Sequence, residues 1–185
     1  EEPILQIKDL VVRFRKPFSL TKFLDRSERS EITAVDNVSL NLARGETLAI
    51  VGESGSGKTT LVRSILQLVR AQSGTIEFAG TSTLETNRKS LSSIRRDIAL
   101  VFQDPIGSLS PRMTVGNSVR EALRHGAAQP ESEQHEIEKL FTLVGLPVDF
   151  IQRYPHELSG GQARRVCVAR ALAQEPRMII ADEPT

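Results

Sequence analysis

The sequence has 185 residues, 39% of them hydrophobic and 25% charged, which suits a globular domain with a sizeable core. Its 24 basic and 23 acidic residues leave a net charge of +1, which argues against binding nucleic acid or a membrane surface through bulk charge. The single cysteine, Cys167, excludes an internal disulfide and fits a reducing compartment, so we interpret it as a packing residue.

The beginning of the chain has the pattern of β-structure. Residues 4–14 are mostly alternating and β-branched, which predicts one or two half-buried strands. Residues 34–42 alternate at period two and predict a strand with Val38, Leu40 and Leu42 on one face. The charged residues 15–31 between these strands lack periodicity, so we interpret them as a solvated loop.

Residues 52–59, with the sequence GESGSGKT, fit the phosphate-binding pattern G-x-x-x-x-G-K-[ST] at every constrained position. The apolar run at residues 47–51 predicts a buried parallel strand before this motif. Residues 60–69 predict a helix after it, with apolar side chains at helical spacing: Leu61, Ile65, Leu68 and Val69. The glycines therefore lie where a strand is expected to turn into a helix.

The glycines of this motif give a phosphate access to the backbone. Without side chains at Gly52, Gly55 and Gly57, successive N–H groups can surround a phosphate at the start of the helix. Lys58 is expected to neutralise the β- and γ-phosphates, and the Thr59 hydroxyl is expected to hold Mg²⁺. An ordinary Gly/Ser turn is the alternative interpretation.

The middle of the chain alternates apolar and polar stretches. Residues 73–80 predict a strand closed by glycines, and residues 81–93 have the composition of a polar linker. Residues 97–102 predict a buried strand that ends on Gln103. Ligands gather at the carboxyl ends of parallel strands, so Gln103 could reach a metal or an attacking water there.

Two helices are predicted next. Thr114 can cap a helix that ends near Gly126, and residues 131–144 predict a second amphipathic helix. Their apolar faces are expected to form core. The three histidines have no spacing typical of metal ligands, and we interpret them as surface or capping residues: His125, His135 and His156.

The sequence LSGGQ at residues 158–162 predicts a second anion site. Paired glycines after Ser159 begin a helix over residues 163–173, so bare N–H groups and the positive end of a helix dipole again meet. A glycine-rich helix cap without a ligand is the alternative.

Two adjacent carboxylates follow the apolar strand predicted at residues 178–181. Successive side chains of an extended strand point in opposite directions. Asp182 can therefore face a metal at the phosphate loop while Glu183 faces a water in line with the γ-phosphate.

The order of these motifs, GESGSGKT, VFQDP, LSGGQ and MIIADEPT, resembles the ATP-binding subunits of ABC transporters over essentially the whole chain. LSGGQ is the discriminating motif, because P-loop NTPases in general lack it. Residues 104–115 and the RYPHE sequence at residues 153–157 resemble the ATPases of dipeptide and oligopeptide importers. Importers of nickel and other small solutes share that pattern.

The resemblance implies an α/β fold, with a P-loop NTPase (RecA-like) core, an N-terminal antiparallel β subdomain and an inserted α-helical subdomain. Residues 1–103 and 158–185 would form the β subdomain and core, and residues 104–157 the helical subdomain of a single ATP-binding domain. We interpret the chain as a fragment that lacks the family's D-loop and switch histidine. We therefore expect these residues alone not to hydrolyse ATP above background.

The resemblance also implies a site for ATP and Mg²⁺. The expected nucleotide contacts are Gly52, Glu53, Ser54, Gly55, Ser56, Gly57, Lys58, Thr59 and Thr60, with adenine stacked on Phe14 or, as a second candidate, Phe18. The expected metal contacts are Thr59, Gln103 and Asp182. The expected catalytic residues are Glu183 as general base, Gln103 and Lys58. In the family, the signature residues close over the ATP of a second subunit, and here they would be Ser159, Gly160, Gly161 and Gln162.

The partners implied are a second ATP-binding subunit, identical or not, membrane-spanning permease subunits and, indirectly, a solute-binding protein. The location implied is peripheral, on the cytoplasmic face of the inner membrane, and no nucleic acid partner is expected. Two alternatives stay open. One is a soluble ABC-type ATPase that acts outside transport, for which the sequence shows no long coiled coil or basic surface. The other is a nucleotide-binding module without turnover.

Overall fold

The computed structural model describes residues 2–15, 31–84, 87–126 and 132–182. The chain forms two compact units, Glu1–Leu91 and Ser92–Thr185. The subdomain boundaries expected from the sequence divide the chain at other positions and stay a prediction. Most of the predicted loop at residues 15–31 lies outside the described residues, as do Phe18 and Glu183.

An antiparallel sheet dominates the first unit. Its strands are β1 (Leu5–Arg15), β2 (Glu31–Leu42), β3 (Ser73–Phe78) and β4 (Thr81–Ser82), in the spatial order β2-β1-β3-β4. The sequence prediction for β1 and β2 is confirmed, and Val38, Leu40 and Leu42 alternate with exposed residues along β2. Ile7, Leu10 and Val12 of β1 are fully buried and form the centre of the core.

The β1 strand carries an irregularity that its neighbours accommodate. Asp9 has a φ of 48°, and the pairing of β1 with β2 and with β3 shifts register around this residue. Gly74 of β3, at a φ of 95°, lies against this point, where a Cβ would come within 2.6 Å of the Asp9 carbonyl oxygen. Only glycine fits there, because a side chain would meet backbone.

The first helix, α1 (Lys58–Ile65), is shorter than the sequence predicts. Leu61 and Ile65 are buried as expected, but the helix ends at Leu66 and Gln67 takes a φ of 53°. Leu68, expected to face inward, is 60% exposed. The prediction for the end of this helix is therefore wrong.

The prediction of a parallel strand at residues 47–51 is also wrong. The structure assigns no strand there, and Ile50 and Val51 are 47% and 93% exposed. Within the first unit, the strands of the described sheet pair only with one another. An apolar run becomes a strand only where a neighbouring backbone completes its hydrogen bonds.

The prediction of a polar linker at residues 81–93 is wrong as well. These residues contain β4 and most of helix α2 (Arg88–Asp97). The Asn87 side chain starts this helix by accepting hydrogen bonds from Lys89 N and Ser90 N, each at 3.0 Å. Ile94 of this helix is buried. The asparagine side chain satisfies N–H groups at the start of a helix in a polar stretch.

The second unit combines a short parallel sheet with helices. The strands β5 (Ile98–Val101) and β6 (Met178–Ala181) pair in parallel. The helices are α3 (Val115–His125), α4 (Glu133–Leu143) and α5 (Gly160–Leu172), with 3₁₀ turns at Val148–Gln152 and Pro155–Glu157. The Thr114 cap is confirmed, since its hydroxyl accepts a hydrogen bond from Asn117 N at 3.3 Å.

The three helices share one apolar core. The apolar faces of α3 and α4 form core as predicted: Val119 of α3 and Ile137 and Phe141 of α4 are fully buried, as are Ala163 and Val166 of α5. Among the described residues, no helix is both long and apolar enough to cross a membrane.

An exposed ion pair also links α3 to α4. Arg124 donates to both carboxylate oxygens of Glu133, at 2.6 and 2.8 Å. This hydrogen bond lowers the pKa of Glu133 and raises that of Arg124. Because the pKa of Glu133 is lower in the folded state, its stabilising effect is present at neutral pH and is lost as the pH falls through that lowered value.

Gly116 of α3 provides a stability test of the helix packing. A Cβ there would lie 2.3 Å from Ile151 Cγ2 and 2.6 Å from the Ile151 carbonyl oxygen. We expect Gly116→Ala to destabilise the protein by about 1–3 kcal/mol, measured by urea unfolding of the full-length protein.

Gly160→Ala is the matched control, because a Cβ at Gly160 of α5 would meet nothing within 4 Å. It should leave stability unchanged or raise it by up to about 1 kcal/mol. Equal losses in the two variants would contradict the packing described here.

Candidate functional site

The loop at residues 52–57 holds the side chain of Lys58 against its own backbone. Within the loop, Ser56 N donates to the Glu53 carbonyl at 3.2 Å. The Lys58 ammonium donates to the carbonyl oxygens of Gly52 and Glu53, at 2.6 and 2.9 Å. An ammonium has three donors, so this arrangement fixes the charge over the loop and leaves one donor for an anion.

The loop glycines have different structural roles. Gly57 has a φ of 98°, and a Cβ there would lie 2.1 Å from the Ala34 carbonyl oxygen of β2. A Cβ at Gly52 would come within 2.7 Å of Ser56 Oγ. Gly55 has a φ of 83° and open space where its Cβ would lie. Gly57 and Gly52 therefore permit close packing. Gly55 leaves the open side of the loop without a side chain, which fits a bound phosphate.

The start of α1 has the electrostatics of an anion site. Gly57 is the N-cap and has no side chain to cap the helix, and the first turn contains no acidic residue. Lys58, Thr59 and Thr60 occupy that turn. The helix dipole and the lysine charge thus favour the same ligand, a phosphate group.

Phe14 lies in the same unit, near the end of the β1–β2 pair. It is 40% exposed and pairs with Ile32, which is 50% exposed, so an apolar surface faces solvent here. The Gln72 side chain accepts from Arg13 N at 2.6 Å and donates to the Arg13 carbonyl at 3.0 Å. These two hydrogen bonds to the Arg13 backbone hold β1 in place beside Phe14. The close approach of Gly57 to Ala34 joins β2 to the phosphate loop.

The LSGGQ sequence forms a preformed helix start in the second unit. The Ser159 hydroxyl accepts from Gln162 N at 3.3 Å, and the Gln162 side chain accepts from Ser159 N at 2.9 Å, a capping box. Gly160 and Gly161 are exposed, and a Cβ on either would meet nothing within 4 Å. The packing of this unit therefore does not require glycine at these positions, which indicates that they leave space for something outside the unit.

The polar residues after the two parallel strands lie at one edge of their sheet. Val101 pairs with Ala181 in register, and Asp182 N donates to the Val101 carbonyl at 3.0 Å. Gln103 and Asp182 therefore follow strand ends that meet, as expected for a ligand-binding edge.

The described residues contain no group of three or more His, Cys, Asp or Glu side chains that could hold a metal. Mg²⁺ commonly takes one or two protein ligands and completes its shell with phosphate oxygens and water. Thr59 of the first unit and Asp182 of the second stay predictions as ligands of such an ion.

The sequence-predicted residues divide between the two units. The first unit contains Phe14 and the phosphate loop, and the second contains Gln103, Asp182 and the LSGGQ helix. Sequence reasoning missed Ala34 and Gln72, which act through backbone contacts and belong to no motif. Only the contact geometry could reveal them.

The fold and these two helix starts define a P-loop nucleotide-binding protein. The family model described as "ABC transporter" matches residues 35–185. The chain belongs to this family, which confirms the resemblance drawn from its motifs.

The most similar relatives include ATP-binding proteins for glutathione import. The "Glutathione import ATP-binding protein GsiA" of Salmonella paratyphi A is 48% identical over 183 residues, and that of Escherichia coli K12 is 47% identical over the same length. Each match covers 98% of this chain and 29% of the relative. The chain therefore spans less than a third of the length of these proteins.

Solved structures of ABC cassettes have the same fold, which confirms the predicted α/β class. The chain superposes with a TM-score of 0.80 on the dimeric post-hydrolysis state of the cassette MJ0796 bound to ADP and Pi, at 32% identity over 98% of this chain and 74% of that one. It superposes with a TM-score of 0.79 on cbiO1 of Clostridium perfringens, part of the ABC transporter complex cbiONQ, at 28% identity over 100% of this chain and 67% of that one.

The position of Lys58 predicts the result of removing its charge. We expect Lys58→Ala in the full-length protein to weaken ATP binding at least tenfold, about 1.4 kcal/mol, because a charge-assisted contact to phosphate is lost. Isothermal titration calorimetry measures this loss.

The control is Lys89→Ala, which removes an exposed lysine of α2 in the same unit as Lys58. It should bind ATP as the unaltered protein does. Equal affinities for the two variants would show that Lys58 does not contact the nucleotide.

Proposed function

We propose that this chain is the nucleotide-binding part of an ATPase that powers an ABC transporter, and that the transporter imports peptides or a similar small solute. The observation that carries the proposal is the presence of two different helix starts suited to anions. One is the loop before α1 with Lys58, and the other is the self-capped LSGGQ helix with its two open glycines. A single nucleotide site within one chain would not need both.

In this proposal the first unit binds the triphosphate. The loop backbone and Lys58 hold the phosphates, and the exposed face of Phe14 stacks on adenine. Thr59, Gln103 and Asp182 would hold Mg²⁺, which would neutralise charge on the phosphates when bound.

The second unit would supply the remaining groups. Glu183 follows Asp182 and accepts a proton from the attacking water as general base, with Gln103 placing that water. Ser159 to Gln162 contact the ATP of a second subunit, identical or not. The open space over Gly160 and Gly161 supports this role, because a phosphate of the partner can approach the backbone there.

The names of the relatives support import as the process. GsiA proteins are named for glutathione import, and glutathione is a small peptide. We propose that membrane-spanning permease subunits and, indirectly, a solute-binding protein are partners, and that the ATPase lies on the cytoplasmic face of the inner membrane. Glu183 favours this proposal over a binding module without turnover, and the importer relatives favour it over an ATPase acting outside transport.

The test is Glu183→Gln in the full-length protein. The amide keeps the shape of the side chain but cannot accept the proton, so ATP binding should survive while hydrolysis falls about a hundredfold or more. The variant should accumulate as an ATP-bound dimer in size-exclusion chromatography.

Glu175→Gln, which removes an exposed carboxylate between α5 and β6, is the control and should hydrolyse ATP normally. Wild-type turnover in Glu183→Gln would place the base elsewhere.

A further inference from the structure

The loop that follows Gln103 is a closed turn. Residues 104–109 are held together by four hydrogen bonds, three of which are donated by backbone N–H groups. The Asp104 carboxylate accepts from Gly107 N at 2.9 Å, the Asp104 carbonyl accepts from Ser108 N at 3.2 Å, and the Ile106 carbonyl accepts from Leu109 N at 3.1 Å. A turn with this many internal bonds moves as a unit.

Side chains of α5 fasten this turn to the LSGGQ helix. Arg170 Nη1 donates to the Ser108 carbonyl at 2.8 Å, and Arg170 Nη2 lies 3.5 Å from Ser108 Oγ. Cys167 Sγ lies 3.4 Å from the Pro105 carbonyl, which also accepts from Ser108 Oγ at 2.9 Å. Leu109, at 3% exposed, packs into the same core as α5.

The helix between these anchors and the LSGGQ sequence is rigid. Cys167 and Arg170 are three residues apart and so lie on one face of α5. Ala163, Val166 and Ala169 of the helix are fully buried, and its first turn is fixed by the capping box. The helix start and Arg170 therefore belong to one continuous, packed helix.

Arginine suits this position because its planar fork carries several donors. The fork reaches both the carbonyl and the hydroxyl of one residue, Ser108, across 62 positions of sequence. A lysine carries its donors on one nitrogen and lacks the planar fork that places two nitrogens on separate acceptors. The bond to a backbone carbonyl also means that no substitution of Ser108 removes it.

We propose that Arg170, supported by Cys167, is a positioning residue that links the loop after Gln103 to the LSGGQ helix. Contact of that helix with a partner's nucleotide then fixes the position of Gln103 at the edge of the β5–β6 sheet. The inference rests on the proposed function, since it assigns Arg170 a part in the same ATP hydrolysis.

The test measures hydrogen exchange in the full-length protein carrying Glu183→Gln, with and without ATP and Mg²⁺. With Arg170 intact, peptides covering residues 104–110 and 158–165 should both become protected when ATP is added. In Arg170→Met, residues 158–165 should still become protected, whereas residues 104–110 should not.

Kinetics with Glu183 intact give the second readout. Arg170→Met should lower kcat at least about tenfold, because a misplaced group costs much of its catalytic effect. The dissociation constant for ATP should stay within about twofold, because the phosphate loop is unchanged. A purely structural role would lower stability without uncoupling the two peptides.

Three further variants complete the test. Ser108→Ala keeps the carbonyl that Arg170 contacts and should retain ATP-dependent protection of residues 104–110. Arg112→Met removes an exposed positive charge outside this contact and should behave as wild type. Arg170→Lys should lie between wild type and Arg170→Met, and it carries the test if the methionine variant does not fold.

Two results would overturn the inference. One is ATP-dependent protection of residues 104–110 in Arg170→Met, or in Arg170→Lys if that variant is needed, equal to that in Arg112→Met. The other is an unaltered protein that neither hydrolyses ATP nor becomes protected at residues 158–165. In that second case the proposed function itself fails, and the inference falls with it.

Discussion

Backbone N–H groups at the start of a helix must find acceptors, and the two candidate sites meet this constraint in opposite ways. At α1 the N-cap is Gly57, which has no side chain to accept from the helix N–H groups. At α5 the capping box satisfies two of these N–H groups, those of Ser159 and Gln162. We propose that the first start captures an anion with its charge and backbone, and that the second, preformed by its capping box, contacts an anion already bound.

The contact between Gly57 and Ala34 ties the first of these sites to the sheet. Because a Cβ at Gly57 would lie 2.1 Å from the Ala34 carbonyl oxygen, the phosphate loop can lie this close to β2 only with glycine at position 57. The same strand pairs Ile32 with Phe14, and Gln72 holds Arg13 beside it. The phosphate loop and the aromatic surface are thus parts of one framework, although some 40 residues separate them in the sequence.

The sequence was sufficient wherever structure depends on local pattern. Thr114 was recognised as a cap because a hydroxyl before an apolar helical repeat needs no distant partner, and Ile137 and Phe141 were placed in the core by their spacing. The motifs gave the family and both glycine-rich helix starts. The strand expected at residues 47–51 failed because strand formation depends on a neighbouring backbone that no local pattern describes. The missed helix α2 had a cap at Asn87 but too few apolar residues to reveal its period.

The glycines illustrate what a structure adds to a motif. Sequence patterns treat every glycine of GESGSGKT and LSGGQ alike, but the space around each one differs. Gly57 is required by the fold itself, because backbone occupies the place of its missing side chain. Gly160 and Gly161 have nothing within 4 Å of that place, whereas Gly55 has open space there but takes a φ of 83° that favours glycine. A glycine that the fold does not need costs conformational entropy without a gain in packing, so its reason must lie in what approaches from outside. By this criterion we propose that Gly160 and Gly161 face a ligand at the start of α5.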